Sequence, residues 1–214
     1  MDARDRAAEA AVQHVTDGMV VGLGSGDTAA RAIRRLGGRR ITCVATSEAA
    51  AQLGRSVGLE VRAPEALAAP IDLTIDGADE IDPALRLIKG GGGAHTREKL
   101  VARASRQLII VADQPKRVTR LGERMRLPVE ILGFGQHWTL ERLGCLGLDP
   151  RLRAGFVTDG GNLIADCALG DGVDLEALAA RIKAVTGVVE HGLFLVEATL
   201  AYVGRDDGVD RLTR

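Results

Sequence analysis

Aromatic residues are scarce: three Phe, one Tyr and one Trp in 214 residues. So few rings offer no row of platforms for stacking nucleic-acid bases. Positive charge is not in excess either, because 28 Lys and Arg stand against 29 Asp and Glu. Nothing here would neutralise a phosphate backbone, and no nucleic-acid partner is expected. Cysteine is limited to Cys43, Cys145 and Cys167, an odd number without CxxC spacing. That excludes a disulfide framework and a zinc knuckle and fits a reducing compartment. No run approaches 18 apolar residues, and the charged opening segment lacks the apolar stretch of a secretory signal. A cytoplasmic protein with no membrane partner is expected. Lysine is also rare, and only Lys89, Lys99, Lys116 and Lys183 occur among the 28 basic residues. Under such a bias toward Arg, a retained Lys marks a place that suits a compact ammonium better than a planar guanidinium, which directs attention to Lys89 and Lys116.

What is present is aliphatic and rich in glycine. Hydrophobic residues make up 46%, enough for a sizeable core of Val, Ile, Leu and Ala, and 27 residues are Gly. The pattern predicts helices over 4–16, 29–36, 47–57 and 96–105, and strands over 19–23, 41–46, 59–62, 71–75 and 108–112, with a short apolar stretch at 85–88. Strands alternating with helices imply an α/β fold, a Rossmann-like, mostly parallel sheet with helices on both faces. Past Pro128 the pattern changes. Helices are predicted near 138–143 and 174–183, and strands near 155–158, 163–167, 185–189 and 193–198, with a turn at 159–162. That reads as a smaller α+β domain over 128–198, after which a last strand at 200–203 returns residues 199–214 to the first domain, 1–127.

Chemistry-bearing residues cluster where strands end. Gly24, Ser25, Gly26, Asp27 and Thr28 join a strand to a helix, where glycines admit close approach and helix amides suit an anion. A phosphate loop, a capped turn and a dinucleotide loop with Glu48 on the ribose all fit this segment alone; no Gly-Lys-Ser/Thr follows, so a Walker A loop is excluded. Asp76, Gly77, Ala78, Asp79, Glu80 and Asp82 follow a strand with four acids in seven residues. They suit a ligand at the sheet edge, a local Asp turn or a hard cation. Lys89, Gly90, Gly91, Gly92 and Gly93 lead through His95 to Glu98, nine residues beyond the lysine. A folded-back loop can bring Lys89 and Glu98 to one pocket, where an ammonium would steady an oxyanion and a carboxylate would move a proton. Alone, Glu98 reads as a helix-start acid and His95 as a packing histidine. Lys116 follows a fourth strand end. Dinucleotide binding explains the first loop only, whereas a small anionic substrate explains all four.

In combination these segments resemble one family. The matching stretches are GSGDT at 24–28, IDGADEID at 75–82, IKGGGGAHTREK at 88–99, VADQPK at 111–116, LPVEIL at 127–132, FVTDGGN at 156–162 and GVVEHGLF at 187–194. The chain resembles type A ribose-5-phosphate isomerase over nearly its whole length. The resemblance implies an aldose–ketose isomerase of the non-oxidative pentose phosphate pathway, interconverting D-ribose 5-phosphate and D-ribulose 5-phosphate through an enediolate, with no metal and no organic cofactor, in a homodimer or homotetramer. It further implies Glu98 as base, Asp76 and Lys89 as partners of the sugar oxygens, and Asp79 assisting ring opening or hydroxyl binding. Ser25, Gly26, Asp27 and Thr28 would lie near the phosphate, and Gly77, Ala78, Gly90, Gly91, Gly92 and Lys116 would complete the substrate site. Asp27 stands where the family usually has a small hydroxyl residue; its carboxylate is expected to turn away from a bound phosphate while its amide serves. His95 and Pro115 also depart from the usual pattern and are expected to alter packing. A phosphosugar-sensing module and a nucleotide-dependent oxidoreductase are the rival classes; the former would lack the base.

Overall fold

The computed structural model describes residues 1–214. Along the chain come α1 (Ala3–Val12), β1 (Val20–Leu23), α2 (Asp27–Leu36), β2 (Thr42–Ala45), α3 (Glu48–Ser56), β3 (Glu60–Val61), β4 (Leu73–Asp76), β5 (Glu80–Ile81), β6 (Leu87–Ile88), α4 (His95–Ala104) and β7 (Leu108–Asp113). There follow β8 (Leu127–Ile131), α5 (Gln136–Gly144), β9 (Pro150–Leu152), β10 (Leu163–Cys167), α6 (Leu175–Lys183), β11 (Val188–His191), β12 (Leu193–Phe194), β13 (Leu200–Gly204) and β14 (Val209–Thr213). No helix is long and apolar enough to cross a membrane.

The chain divides into two compact units. The first comprises Met1–Ala78, Arg97–Arg117 and Val196–Arg214. Its seven-stranded sheet runs β14-β13-β7-β4-β1-β2-β3, parallel throughout except for the antiparallel pair β13–β14. Strand alternation sends side chains to opposite faces. Cys43 joins Ala7, Ala11, Ala32, Ile33, Ala50 and Leu73 in a core shared with α1, α2 and α3. Its neighbour Val44 packs instead with Ile71 and with Val101 of α4. Helices therefore cover both faces, and the small Ala surfaces of α1 let it pack closely against its neighbours. From β1 the chain runs outward to β2 and β3, then returns on the other side of β1 as β4. The strand order reverses between β1 and β4, and in an open α/β sheet the crevice outside such a switch point is where ligands bind.

The second unit comprises Asp79–Thr96 and Val118–Leu195. A four-stranded sheet β11-β8-β10-β9 is antiparallel. A small antiparallel sheet β12-β6-β5 accompanies it. Its own core gathers Leu127, Val129, Ile131, Leu143, Ala165, Leu178 and Ile182.

The α/β class and the smaller second unit agree with expectation; several bounds do not. The change of unit expected at 127/128 falls at 117/118, and residues 79–96 belong with the second unit because β6 pairs with β12 and β5 pairs with β6. The strand expected at 155–158 is absent: Gly155 has φ +66°, and the Thr158 amide closes a turn onto Asn162. The partner strand lies earlier, at β9. The strand expected at 185–189 begins later, at Val188, and the one expected at 193–198 is only two residues long. β13 is not the last strand, since β14 pairs with its free side. β8 carries no alternation to announce it, because all five of its residues are buried.

Candidate active site

In the first unit the switch point is built by two turns pressed together. The Gly24 amide donates to the Ile75 carbonyl at 2.9 Å, joining the exit of β1 to β4. A Cβ at Gly24 would lie on the backbone and carboxylate of Asp76, so only glycine permits this approach. Asp76 ends β4 and is 1% exposed. Its Oδ1 accepts the amides of Ser25 at 3.0 Å and Gly77 at 2.7 Å. One carboxylate oxygen thus holds the 24–28 loop against the Asp76–Ala78 turn. The Ser25 hydroxyl meets the hydroxyls of Thr46 and Ser47, each at 2.8 Å, so Ser25 braces the loop with both its amide and its side chain. Gly26 has φ +92° and precedes α2, whose first turn has no side-chain cap. Helices α1 and α3 are capped by Asp2 and Ser47. Uncapped first-turn amides at Asp27 and Thr28 are donors of the kind an anion takes. Asp27, which stands at that point, directs its carboxylate at Arg4 of α1, 2.6 Å away. The same unit holds Glu98, 5% exposed in the first turn of α4, and Lys116, half-buried in the short turn Gln114–Lys116 after β7.

The second unit holds Asp79, Lys89 and the glycine run. Asp79 accepts the Gly91 amide at 2.8 Å. That bond holds the glycine run against Asp79. Lys89 is 2% exposed; its amide donates to the Gly192 carbonyl at 2.9 Å, and its ammonium stands 5.5 Å from the centre of the Phe194 ring. Gly90 has φ +109°, and a Cβ there would strike the His95 ring. His95 is fully buried with Nε2 3.3 Å from the Glu190 carbonyl, the packing histidine expected of it. Gly92 is exposed at the tip of the run.

The four acids of the 76–82 stretch separate into two kinds. Glu80 is buried and accepts amides from Gly122, Arg124 and Met125 at 2.6 to 2.8 Å. Asp82 accepts the amides of Ala84 and Arg86 and the Arg86 guanidinium. Both are consumed in folding the chain. No group of three His, Cys, Asp or Glu is arranged to hold a metal ion.

Sequence reasoning missed the supports. Arg153 clamps Asp166 through two bonds of 2.6 and 2.9 Å and donates to the Gly91 carbonyl at 3.0 Å, bracing the glycine run from outside. Glu130 of β8 is buried; it accepts from Thr158 at 2.8 Å, Asn162 at 2.9 Å and the Thr96 hydroxyl. Thr96 stands two residues before Glu98 on the same helix. The signal was present in LPVEIL and FVTDGGN, whose polar residues meet at Glu130, but neither segment names its partner.

A turn held by the buried Asp76 at the reversal of an open sheet, with an uncapped helix start beside it, is the arrangement of an α/β enzyme with its site at the sheet edge. The family model for ribose 5-phosphate isomerase A (phosphoriboisomerase A) matches residues 42–208. Ribose-5-phosphate isomerase A of Roseiflexus castenholzii is 48% identical over 98% of this chain and 94% of its own. The solved ribose 5-phosphate isomerase A of Methanocaldococcus jannaschii has a TM-score of 0.93 at 33% identity, covering 99% of this chain and 98% of its own. A D-ribose-5-phosphate isomerase solved in complex with phospho-erythronic acid has a TM-score of 0.94 at 32% identity over 99% and 97%. The chain belongs to the ribose 5-phosphate isomerase A family.

Proposed function

We propose that the chain interconverts D-ribose 5-phosphate and D-ribulose 5-phosphate by moving one proton between C2 and C1, with Glu98 as the base. The observation that carries this reading is burial: Asp76, Lys89 and Glu98 are 1%, 2% and 5% exposed. Burying ionisable groups is costly, and they concentrate where they have chemical work to do. Family membership and the phospho-erythronic acid held by the related isomerase support a phosphorylated substrate.

In the open-chain aldose the C2–H is acidified by the neighbouring carbonyl. Glu98 takes that proton, a C1–C2 double bond forms, and negative charge moves onto O1. Lys89 steadies the charge as it develops, which lowers the barrier because the interaction strengthens toward the transition state. A carboxylate is a weak base in water, and removing water raises its proton affinity. Glu98 then returns the proton to C1 while the hydroxyl proton on O2 moves to O1, leaving the ketose. Asp76 and Asp79 orient hydroxyls and assist ring opening. The amides beginning α2 and the Lys116 ammonium take the phosphate. Ser25, Gly77, Ala78 and the glycine run shape the cradle.

Three free thiols support a reducing, cytoplasmic setting. A homodimer or homotetramer is supported by the exposed Leu132, Phe134 and Trp138 of the second unit. A monomeric mass by light scattering at assay concentration would refute the oligomer.

The activity is tested with purified protein in EDTA, given ribose 5-phosphate, by following ketose formation. Turnover insensitive to EDTA is expected. No ketose, or ketose only on adding a metal, would overturn the reading.

A further inference from the structure

Asp27 is an awkward residue for its position. It opens α2 in the loop read here as the phosphate loop. A carboxylate there opposes a bound phosphate by charge. Acids in a first helical turn are also drawn to the amides of that turn, so an unrestrained Asp27 competes for the donors the phosphate needs.

Arg4 occupies the geometry that resolves this. Its Nη1 lies 2.6 Å from Asp27 Oδ2, and its Nε donates to Asp113 Oδ2 at 2.8 Å. Asp113 ends β7, immediately before the turn that carries Lys116. One guanidinium from α1 therefore ties two strand-end loops of the first unit. The other cation facing Asp27, Arg31, is 3.8 Å away and gives its closer contacts to Asp2 at 2.7 Å and Asp5 at 3.0 Å. The Arg4 and Asp27 side chains are 41% and 57% exposed. A pair so open to water contributes little to folding. Its effect is to set where the Asp27 carboxylate points.

We propose that Arg4 is a positioning residue for phosphate binding, holding the Asp27 carboxylate away from the amides at the start of α2. The proposal rests on reading residues 24–28 as the phosphate loop. It makes the Arg4 requirement conditional on the charge at residue 27, which a purely structural role or a direct Arg4–phosphate contact would not do.

The test is a double-mutant cycle on the whole protein, reading kcat and KM for ribose 5-phosphate and the competitive inhibition constant of inorganic phosphate. Arg4→Met should raise KM and the phosphate constant together, on the order of 10-fold, with kcat within about twofold. Arg4→Met in an Asp27→Asn background should leave both constants within about twofold of Asp27→Asn alone. If Arg4→Met does not fold, Arg4→Lys in the same two backgrounds carries the comparison: its single ammonium cannot fork to both acids, and a smaller rise confined to the Asp27 background is expected. Unchanged constants, or an equal rise in both backgrounds, would overturn the Arg4 proposal while phosphate competition in the wild type leaves the loop reading intact. Failure of phosphate to compete in the wild type would overturn the loop reading and the proposal together.

Discussion

At the scale of single residues, burial alone does not mark chemical work, since Glu80 is as buried as Asp76 and is consumed by three backbone amides. In the mechanism proposed above, Glu98 is the residue on which the proton transfer depends. Glu98→Gln keeps shape and removes the base, so turnover should fall on the order of 10²–10⁴-fold while KM for ribose 5-phosphate stays within a few-fold. Steady-state kinetics decides it, and near-normal kcat would remove Glu98 from the mechanism. The cysteines are the opposite case. Burial pushes the Cys43 thiol up to about 12, with the charge of Glu60 adding to the rise, and burial likewise pushes Cys167 up to about 12. Cys145 is exposed. Ellman's reagent at pH 8 should therefore titrate one thiol rapidly in the native protein and three after denaturation. The linkage has a definite sign. The native state keeps both buried thiols protonated above the ordinary thiol range, so the stability they lend is whole below about pH 9 and is lost as pH climbs toward 12. A native protein that releases all three thiols at once would contradict the buried placements.

At the scale of elements, the site is held by segments that contribute no reactive group. Glu130 gathers three donors from Thr96, Thr158 and Asn162 inside the second unit. A carboxylate only accepts, which suits three donors converging on two oxygens. Glu130→Ala strands buried donors and should cost on the order of 3 kcal/mol in urea unfolding. It also loosens the first turn of α4, so kcat should fall as well. Glu130→Gln should recover most of the stability, because a threonine hydroxyl can rotate to accept from the amide. Equal midpoints for Glu130→Ala and the wild type would dispose of the clamp. The sequence displayed the loops but not these braces. Gly24 stood out as a glycine in a strand-to-helix turn, yet its need, contact with Asp76 fifty-two residues later, is visible only in the fold. Glu80 and Asp82 looked equal to Asp76 and Asp79, because local spacing says nothing about which carboxylates the backbone will consume.

At the scale of the whole molecule, the parallel sheet was legible and the partition of the chain was not. Period and turn residues suffice for β1, β2, β4 and β7, whose helices alternate with them. They fail for β8, which is buried on both faces, and for β5 and β6, two-residue strands placed by the ladders of β6 to β12 and of β5 to β6. Membership of residues 79–96 in the second unit follows from that long-range pairing, which no local window contains. The same logic explains β14: the last strand is expected at 200–203, and only the ladder to β13 shows that the chain turns back along it.

The placement of β13 has a consequence for how the protein comes into being. β13 lies between β7 and β14, and the close approach of Gly204 to the Ala3 backbone leaves no space for a side chain. Helix α1, with Arg4 upon it, emerges from the ribosome about two hundred residues before the strand it must rest against. Vectorial synthesis cannot complete this domain piece by piece; α1 has to wait, exposed or chaperoned, until β13 has been made.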